Sequence, residues 1–208
     1  MRWRFLLLLV ALISIGCANK AGVFVLHREA DPRLESFAIL PLLCAPELMK
    51  QNEYATGEKP QLRIAVILHD GLQASGKQVF LISSKRAERF GEMAFADTTN
   101  LSLFARELGE DLGANALVVG YLRRWQDLRG TWYAAKESAA LTLELKVYRT
   151  ADGALIWHGI FDKEQGSLSA DILNIQDFIK RKGRWIGVEE LAKDGIAKMV
   201  DDMPGLKR

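Results

Sequence analysis

The sequence predicts an α/β fold, a single layered domain with a mixed sheet in which two βα crossovers feed an antiparallel meander and two C-terminal helices follow. Three observations predict it. Strand-like and helix-like apolar stretches alternate over residues 36–112, and parallel strands joined by such crossovers need helices on the sheet faces. Residues 138–148 alternate cleanly, Leu141, Leu143, Leu145 and Val147 against Thr142, Glu144, Lys146 and Tyr148, the period of a strand with one buried face. Asp152-Gly153 then provides a hairpin turn that sends the chain back along its neighbour.

The elements follow in order. Residues 18–35 read as a tether, although Val23-Phe24-Val25-Leu26 is too apolar for pure linker and is suited to packing on the body. The domain proper is expected over 36–208. Phe37-Ala38-Ile39-Leu40 is its first strand, ended by Pro41, which cannot continue a ladder. Residues 45–60, with two prolines and Gly57, read as a loop. Residues 61–74 fit either a buried strand or a helical stripe of Leu62, Ala65, Val66, Leu68 and Leu72. Their length favours the helix, stopped by Gly76. Residues 78–83 are the next strand. Thr98, Thr99 and Asn100 are capping residues before Leu101, Phe104, Leu108 and Leu112, spaced as one helix face and closed by Gly113.

Residues 116–125, 138–148 and 154–161 make the meander. Ser167 or Ser169 can cap a helix running to Arg181, and residues 188–202 form the last helix before Pro204-Gly205.

The amino terminus carries an address. Arg2 and Arg4 precede residues 5–15, a stretch of 11 residues that is apolar but for Ser14. A bilayer-crossing helix needs ~20, so this is a secretion signal and not a span. The run ends at Gly16-Cys17, which resembles the lipobox of bacterial lipoproteins, with Ser14 where Leu is usual. The resemblance implies a signal over 1–17, cleavage after Gly16 and acylation of Cys17. The residue after the cysteine is Ala18 and not Asp, which by the same analogy implies the outer membrane. A plain signal peptide with an incidental cysteine is the alternative. Once Cys17 is acylated, Cys44 has no disulfide partner; set among Leu42, Leu43 and Ala45, it reads as a core residue.

A second resemblance lies in the body. Leu112-Gly113-Ala114-Asn115-Ala116-Leu117-Val118-Val119-Gly120 runs from a helix end into an apolar strand. With Phe37–Pro41 and the hairpin from Tyr148 to Trp157, it resembles periplasmic lipoproteins akin to the curli secretion lipoprotein and the lipoprotein activator of penicillin-binding proteins. The resemblance covers about residues 36–162 and implies a fold more than an activity. Its residues have structural reasons: Gly113 stops a helix at positive φ, Gly120 allows close approach and Trp157 fills a sheet face.

Charge excludes some partners. Without Arg2 and Arg4 the 26 acidic residues balance the remaining bases, so no single-signed field gathers nucleic acid. His27, His69 and His158 show no metal-ligand spacing, and Cys-x-x-Cys, G-x-S-x-G and the phosphate-loop pattern are absent from the sequence. Glu189-Glu190 opens a helix, where the dipole favours it, and Asp201-Asp202 closes one and reads as solvated. The expectation is a non-enzymatic chain with no cofactor, metal, nucleic acid or small-molecule substrate.

Binding surfaces are the better candidates. Trp125, Arg129, Trp132 and Tyr133 crowd one connection between strands, and Trp, Tyr and Arg are enriched at binding hot spots. Two readings stand, a partner surface or aromatics folded back on the sheet. Lys180, Arg181, Arg184 and Trp185 form a basic-aromatic cluster that suits a headgroup layer or a partner; a solvated face with Trp185 stapling two helices is the plain alternative. The 12-residue connection 126–137 is too short for a hairpin whose strands each need ~9–11 residues to cross a bilayer. The reading is therefore an outer-membrane lipoprotein that binds envelope components or itself. A regulator of peptidoglycan synthase and a part of an oligomeric secretion complex are the alternatives.

Overall fold

The structure is a computed structural model that describes residues 22–29, 34–48, 59–83, 85, 87, 98–131, 134–165 and 185–206. Its strands are β1 (Val23–Arg28), β2 (Ser36–Ile39), β3 (Leu43–Cys44), β4 (Gln78–Leu81), β5 (Ala116–Gln126), β6 (Arg129–Thr131), β7 (Ala134–Glu137), β8 (Ala140–Arg149) and β9 (Leu155–Glu164). Its principal helices are α1 (Pro60–Ala74), α2 (Thr98–Leu112) and α3 (Val188–Asp202). Seven strands form one sheet in the order β1-β9-β8-β5-β2-β4, with β3 extending the β5 edge beyond β2, and β6 and β7 pair as a separate ribbon. β2 pairs in parallel with β4 and with β5, while β5, β8 and β9 are antiparallel neighbours. The mixed sheet and its two crossovers are those the sequence implied.

Period-two alternation sorts the core into two layers. Phe37, Ile39, Val118, Leu143, Leu145, Val147 and Phe161 face α1 and α3, whose Ile64, Leu68, Leu72, Leu191, Ile196 and Met199 complete the larger cluster. Ala38, Leu40, Leu117 and Tyr148 face α2 through Leu101, Phe104, Ala105 and Leu108. Residues 61–74 are thus helical, as their length favoured; Ile64, Leu68 and Leu72 are its buried stripe, while Leu62 and Val66 stand exposed.

The Gly113–Asn115 junction shows what the signature does. Gly113 takes φ 64° after α2, a conformation that costs other residues a Cβ clash. Asn115 then pins the start of β5 to β2: its amide N–H donates to Ser36 Oγ at 2.9 Å and its Oδ1 accepts from the Glu35 N–H at 3.2 Å. Thr150, at the far end of β8, donates its hydroxyl to the Ala114 carbonyl. Gly120 leaves room for side chains, since a Cβ there would lie 2.8 Å from Leu42 Cγ.

Several expectations need correction. The segment read as a tether contains β1, an edge strand antiparallel to β9 with a bulge between Val25 and His27. Arg28 anchors it by an ion pair with Asp202 at 2.9 Å. Asp202 also accepts from Trp157 Nε1 at 3.0 Å, so it is a structural partner and not a solvated helix-end charge. Trp157 is wholly buried, as expected, and the missing side chain of Gly159 makes its space. The stretch 45–60 opens with a helical turn at residues 46–48, just after the short strand β3. Val119, inside the apolar strand, is only half-buried. Of the two expected C-terminal helices, α3 is present, and the one proposed to end at Arg181 falls outside the described residues.

Candidate functional site

The first sequence candidate, the connection after β5, is a small arm. β6 and β7 pair with each other and not with the main sheet. Their lengths of 3 and 4 residues fall short of the ~9–11 that a bilayer-crossing strand needs. Arg129 begins the arm with its side chain 77% exposed, 3.4 Å from the carboxylate of Glu137. Trp125 does not belong to this surface; it is half-buried and packs on the larger core cluster. Trp132 and Tyr133 lie outside the described residues.

The base of the arm has a structural task that the sequence did not suggest. Asp127 accepts the Val188 N–H at 3.0 Å and the Leu128 N–H at 2.8 Å through the same oxygen. α3 has no cap from Gly187, so this distant carboxylate caps it.

The second candidate cluster divides. Lys180, Arg181 and Arg184 lie outside the described residues, while Trp185 is buried at 8% exposure and packs in the body. Trp185 is therefore no exposed partner surface. Next to it, buried Gln165 grips Ile186 twice, its Nε2 donating to the carbonyl at 2.8 Å and its Oε1 accepting the N–H at 3.1 Å. These bonds tie the end of β9 to the approach to α3.

Among the described residues, a further site lies beside α2 on the sheet face that this helix packs on. Alternation along β5 places Val119, Tyr121 and Arg123 on that face, and alternation along β8 places Glu144 and Lys146 beside them. With Leu43, Cys44, Pro46 and Leu101 they line a cleft of about 490 Å³. Glu144 is its hub, with a side chain only 9% exposed. It accepts from Arg123 Nε at 3.1 Å, meets His158 Nε2 at 2.9 Å and lies 3.4 Å from Lys146 Nζ. The Arg123 guanidinium also sits 4.8 Å from the Tyr121 ring centroid, a cation–π distance.

Burial works against the Glu144 charge. The hydrogen bonds from Arg123 and His158, with the charges of Lys146 and Arg123, outweigh it and hold the carboxyl below its ordinary range. Burial also pushes the Cys44 thiol up, leaving it protonated and a poor nucleophile; Cys44 is half-buried against the core, close to the role expected of it. Tyr148 is driven to about 12, first by burial and then by the Glu144 charge. Its hydroxyl is buried without a hydrogen-bond partner.

The cleft thus combines a fixed carboxylate with two cations, Arg123 over half exposed and Lys146 about one-third exposed. These charges stand beside a wall of Leu43, Pro46, Leu101 and Val119. Among the described residues no group of three His, Cys, Asp or Glu could hold a metal ion. His158 and Asp162, on one strand face, part company: His158 meets Glu144, and Asp162 accepts from Thr142 Oγ1 at 2.7 Å. The signal for this site was present as Glu144 and Lys146, two positions apart on the face of β8 opposite its leucines. What sequence could not give was the pairing that brings Arg123 and His158 to Glu144.

No family model matches the chain, and no curated protein matches it. Among solved structures, the chain is similar to a PelC dodecamer from Paraburkholderia phytofirmans, at 15% identity and TM-score 0.55, over 89% of this chain and 97% of that one. It is also similar to the lipoprotein GNA1162 from Neisseria meningitidis, at 12% identity and TM-score 0.37, over 71% of this chain and 94% of the other. The LpoB C-terminal domain from Escherichia coli matches at 13% identity and TM-score 0.37, over 75% and 94% of the two chains. The likeness to PelC is one of fold.

Proposed function

We propose that this chain is a non-enzymatic lipoprotein of the bacterial outer membrane, anchored through Cys17 on the periplasmic face and working by association with itself or with another envelope protein. The observation that carries association is the β6–β7 arm. Among the described residues it forms a two-stranded sheet separate from the seven-stranded one, and Arg129 is exposed on it. A small ribbon of this kind, with Trp132 and Tyr133 between its strands in sequence, has the residue types of a binding hot spot. Support for self-association comes from the PelC likeness, since that chain is described as a dodecamer. Support for the anchor is the 11-residue stretch 5–15, apolar but for Ser14, that leads into Gly16-Cys17.

Reach argues against a distant peptidoglycan synthase as the partner. β1 begins at Val23, so only residues 18–22 separate the anchor from the sheet, a span of at most about 21 Å.

Two measurements test the reading. Cys17→Ser is expected to abolish palmitate incorporation and leave the precursor uncleaved; normal labelling in that variant refutes the anchor. Arg129→Ala with Trp132→Ala is expected to weaken association at least roughly tenfold, because a desolvated Arg or Trp contributes ~2 kcal/mol or more at an interface. Sedimentation and pull-down profiles identical to the parent's would remove the arm from consideration.

A further inference from the structure

Three apolar side chains of β1 stay largely open to solvent among the described residues. Phe24, Val25 and Leu26 are 43%, 41% and 59% exposed, three consecutive large apolar residues on the outermost strand. Their place in the chain singles them out from the other exposed apolar residues, Leu62, Val66, Leu81 and Leu103, which lie far along the sequence on α1, β4 and α2.

Gly22 is already fixed to the body, its carbonyl accepting the Asp162 N–H at 2.8 Å. Between Cys17 and Gly22 lie five Cα steps, so their separation is at most about 18 Å, and about 12 Å as a flexible-chain average. If acyl chains on Cys17 hold it at the membrane surface, the start of β1 is held there too. We infer that β1 meets the bilayer by its open edge, so that Phe24, Val25 and Leu26, which alternate between the strand's two faces, all reach the boundary between headgroups and acyl chains. The inference rests on the acylation of Cys17 proposed above.

Polarity along the strand agrees. The apolar triplet occupies the anchor-proximal half, and His27, Arg28 and Glu29 follow at the distal end, where Arg28 is held by Asp202. The connecting residues Ala18-Asn19-Lys20-Ala21-Gly22 carry no acidic side chain to be repelled by anionic lipid. Tethering also makes a weak apolar contact effective, because the surface is present at high local concentration.

A second copy adding a strand to this edge is the competing occupant, and the strand's geometry opposes it. The register shift between Val25 and His27 interrupts the ladder in mid-strand. A bulge on an edge strand twists it away from further pairing. A lipid surface asks for no register.

The test uses the full acylated chain in vesicles of phosphatidylethanolamine and phosphatidylglycerol. In a Cys44→Ala background, Leu26→Cys is labelled with an environment-sensitive fluorophore, and Leu81→Cys on the opposite edge is labelled as the control. The expected result is blue-shifted emission and loss of fluorescence at position 26 when nitroxide-bearing lipid is included, with no loss at 81. A label at Phe24→Cys should behave like that at 26, so that one perturbed site does not decide the matter. Palmitate on Cys17 with unquenched labels at 24 and 26 overturns the inference and leaves the anchor standing. A blue shift without lipid quenching, in a chain that sediments as an oligomer, overturns it in favour of a second copy. Absence of palmitate on Cys17 overturns the anchor and, with it, this placement of β1.

Discussion

Glu144→Gln is the sharpest test of the cleft as a built feature. The substitution keeps volume and removes one charge. In the parent, the Glu144 carboxylate accepts from Arg123 at 3.1 Å and meets His158 at 2.9 Å and Lys146 at 3.4 Å, with only 9% of its side chain exposed. The amide of Gln offers one oxygen where the carboxylate offered two, and its NH2 meets neighbours that are themselves donors. Hydrogen bonds to charged groups are worth ~1.5–3 kcal/mol. Arg123 is 56% exposed, so water replaces part of what it loses. The expected loss is therefore about 1–2 kcal/mol at neutral pH, read as a lower urea midpoint with an unchanged slope. Its pH dependence is the second signature. The folded carboxyl is held below its ordinary value of 4.5, so the contribution is complete above about that pH and lost as pH falls through the folded value. The gap between parent and variant should narrow as pH is lowered from 7 to about 3. Equal midpoints at neutral pH, or a gap that does not close in acid, would show that the Glu144 cluster is not held as described.

Three further tests probe the frame around the site. Val118→Asp places an unpaired charge at a position with 0% exposure and should cost several kcal/mol in urea unfolding, while Val119→Asp, at the half-buried cleft wall, should cost clearly less; equal losses would contradict the assigned faces of β5. Gln165→Ala strips both partners from the Ile186 backbone and should destabilise by about 2–3 kcal/mol, unless the parent and variant melt together and the grip is idle. Asp127→Ala removes the cap on α3 and should lower stability by about 1 kcal/mol, with Asp127→Asn recovering part of it; an Ala variant as stable as the parent would refute the capping role.

The elements most legible in the sequence were those whose signal is local. Alternation in β8, the Asp152-Gly153 turn and the helix stop at Gly113 each depend on neighbours a few residues apart, and each stands as read. β1 was half-legible. Its apolar residues announced that it would pack, but membership of the sheet depends on β9, more than 120 residues away, and on Arg28 meeting Asp202. The candidate sites fared worse for the same reason. Residue type nominated Trp125 and Trp185 as surface anchors, yet type alone does not separate an exposed aromatic from a buried one. Glu144 looked like any polar residue on the solvent side of a strand; its burial comes from Arg123 and His158, supplied by the two flanking strands.

The two faces of the sheet differ in a way that bears on where binding belongs. One face is covered by α1 and α3, which also pack on each other and close that side with aliphatic side chains. The other is covered by α2 over β2, the start of β5 and the end of β8; beyond α2 lies the cleft, with Arg123, Glu144 and Lys146 in its wall. A protein that only needed to fold would gain by placing apolar residues beneath a second helix there, since replacing a buried ion pair with well-packed apolar groups is often neutral or stabilising. Among the described residues, the charged hub on that face and the arm after β5, with Arg129 exposed, are where polar groups stay open to contact.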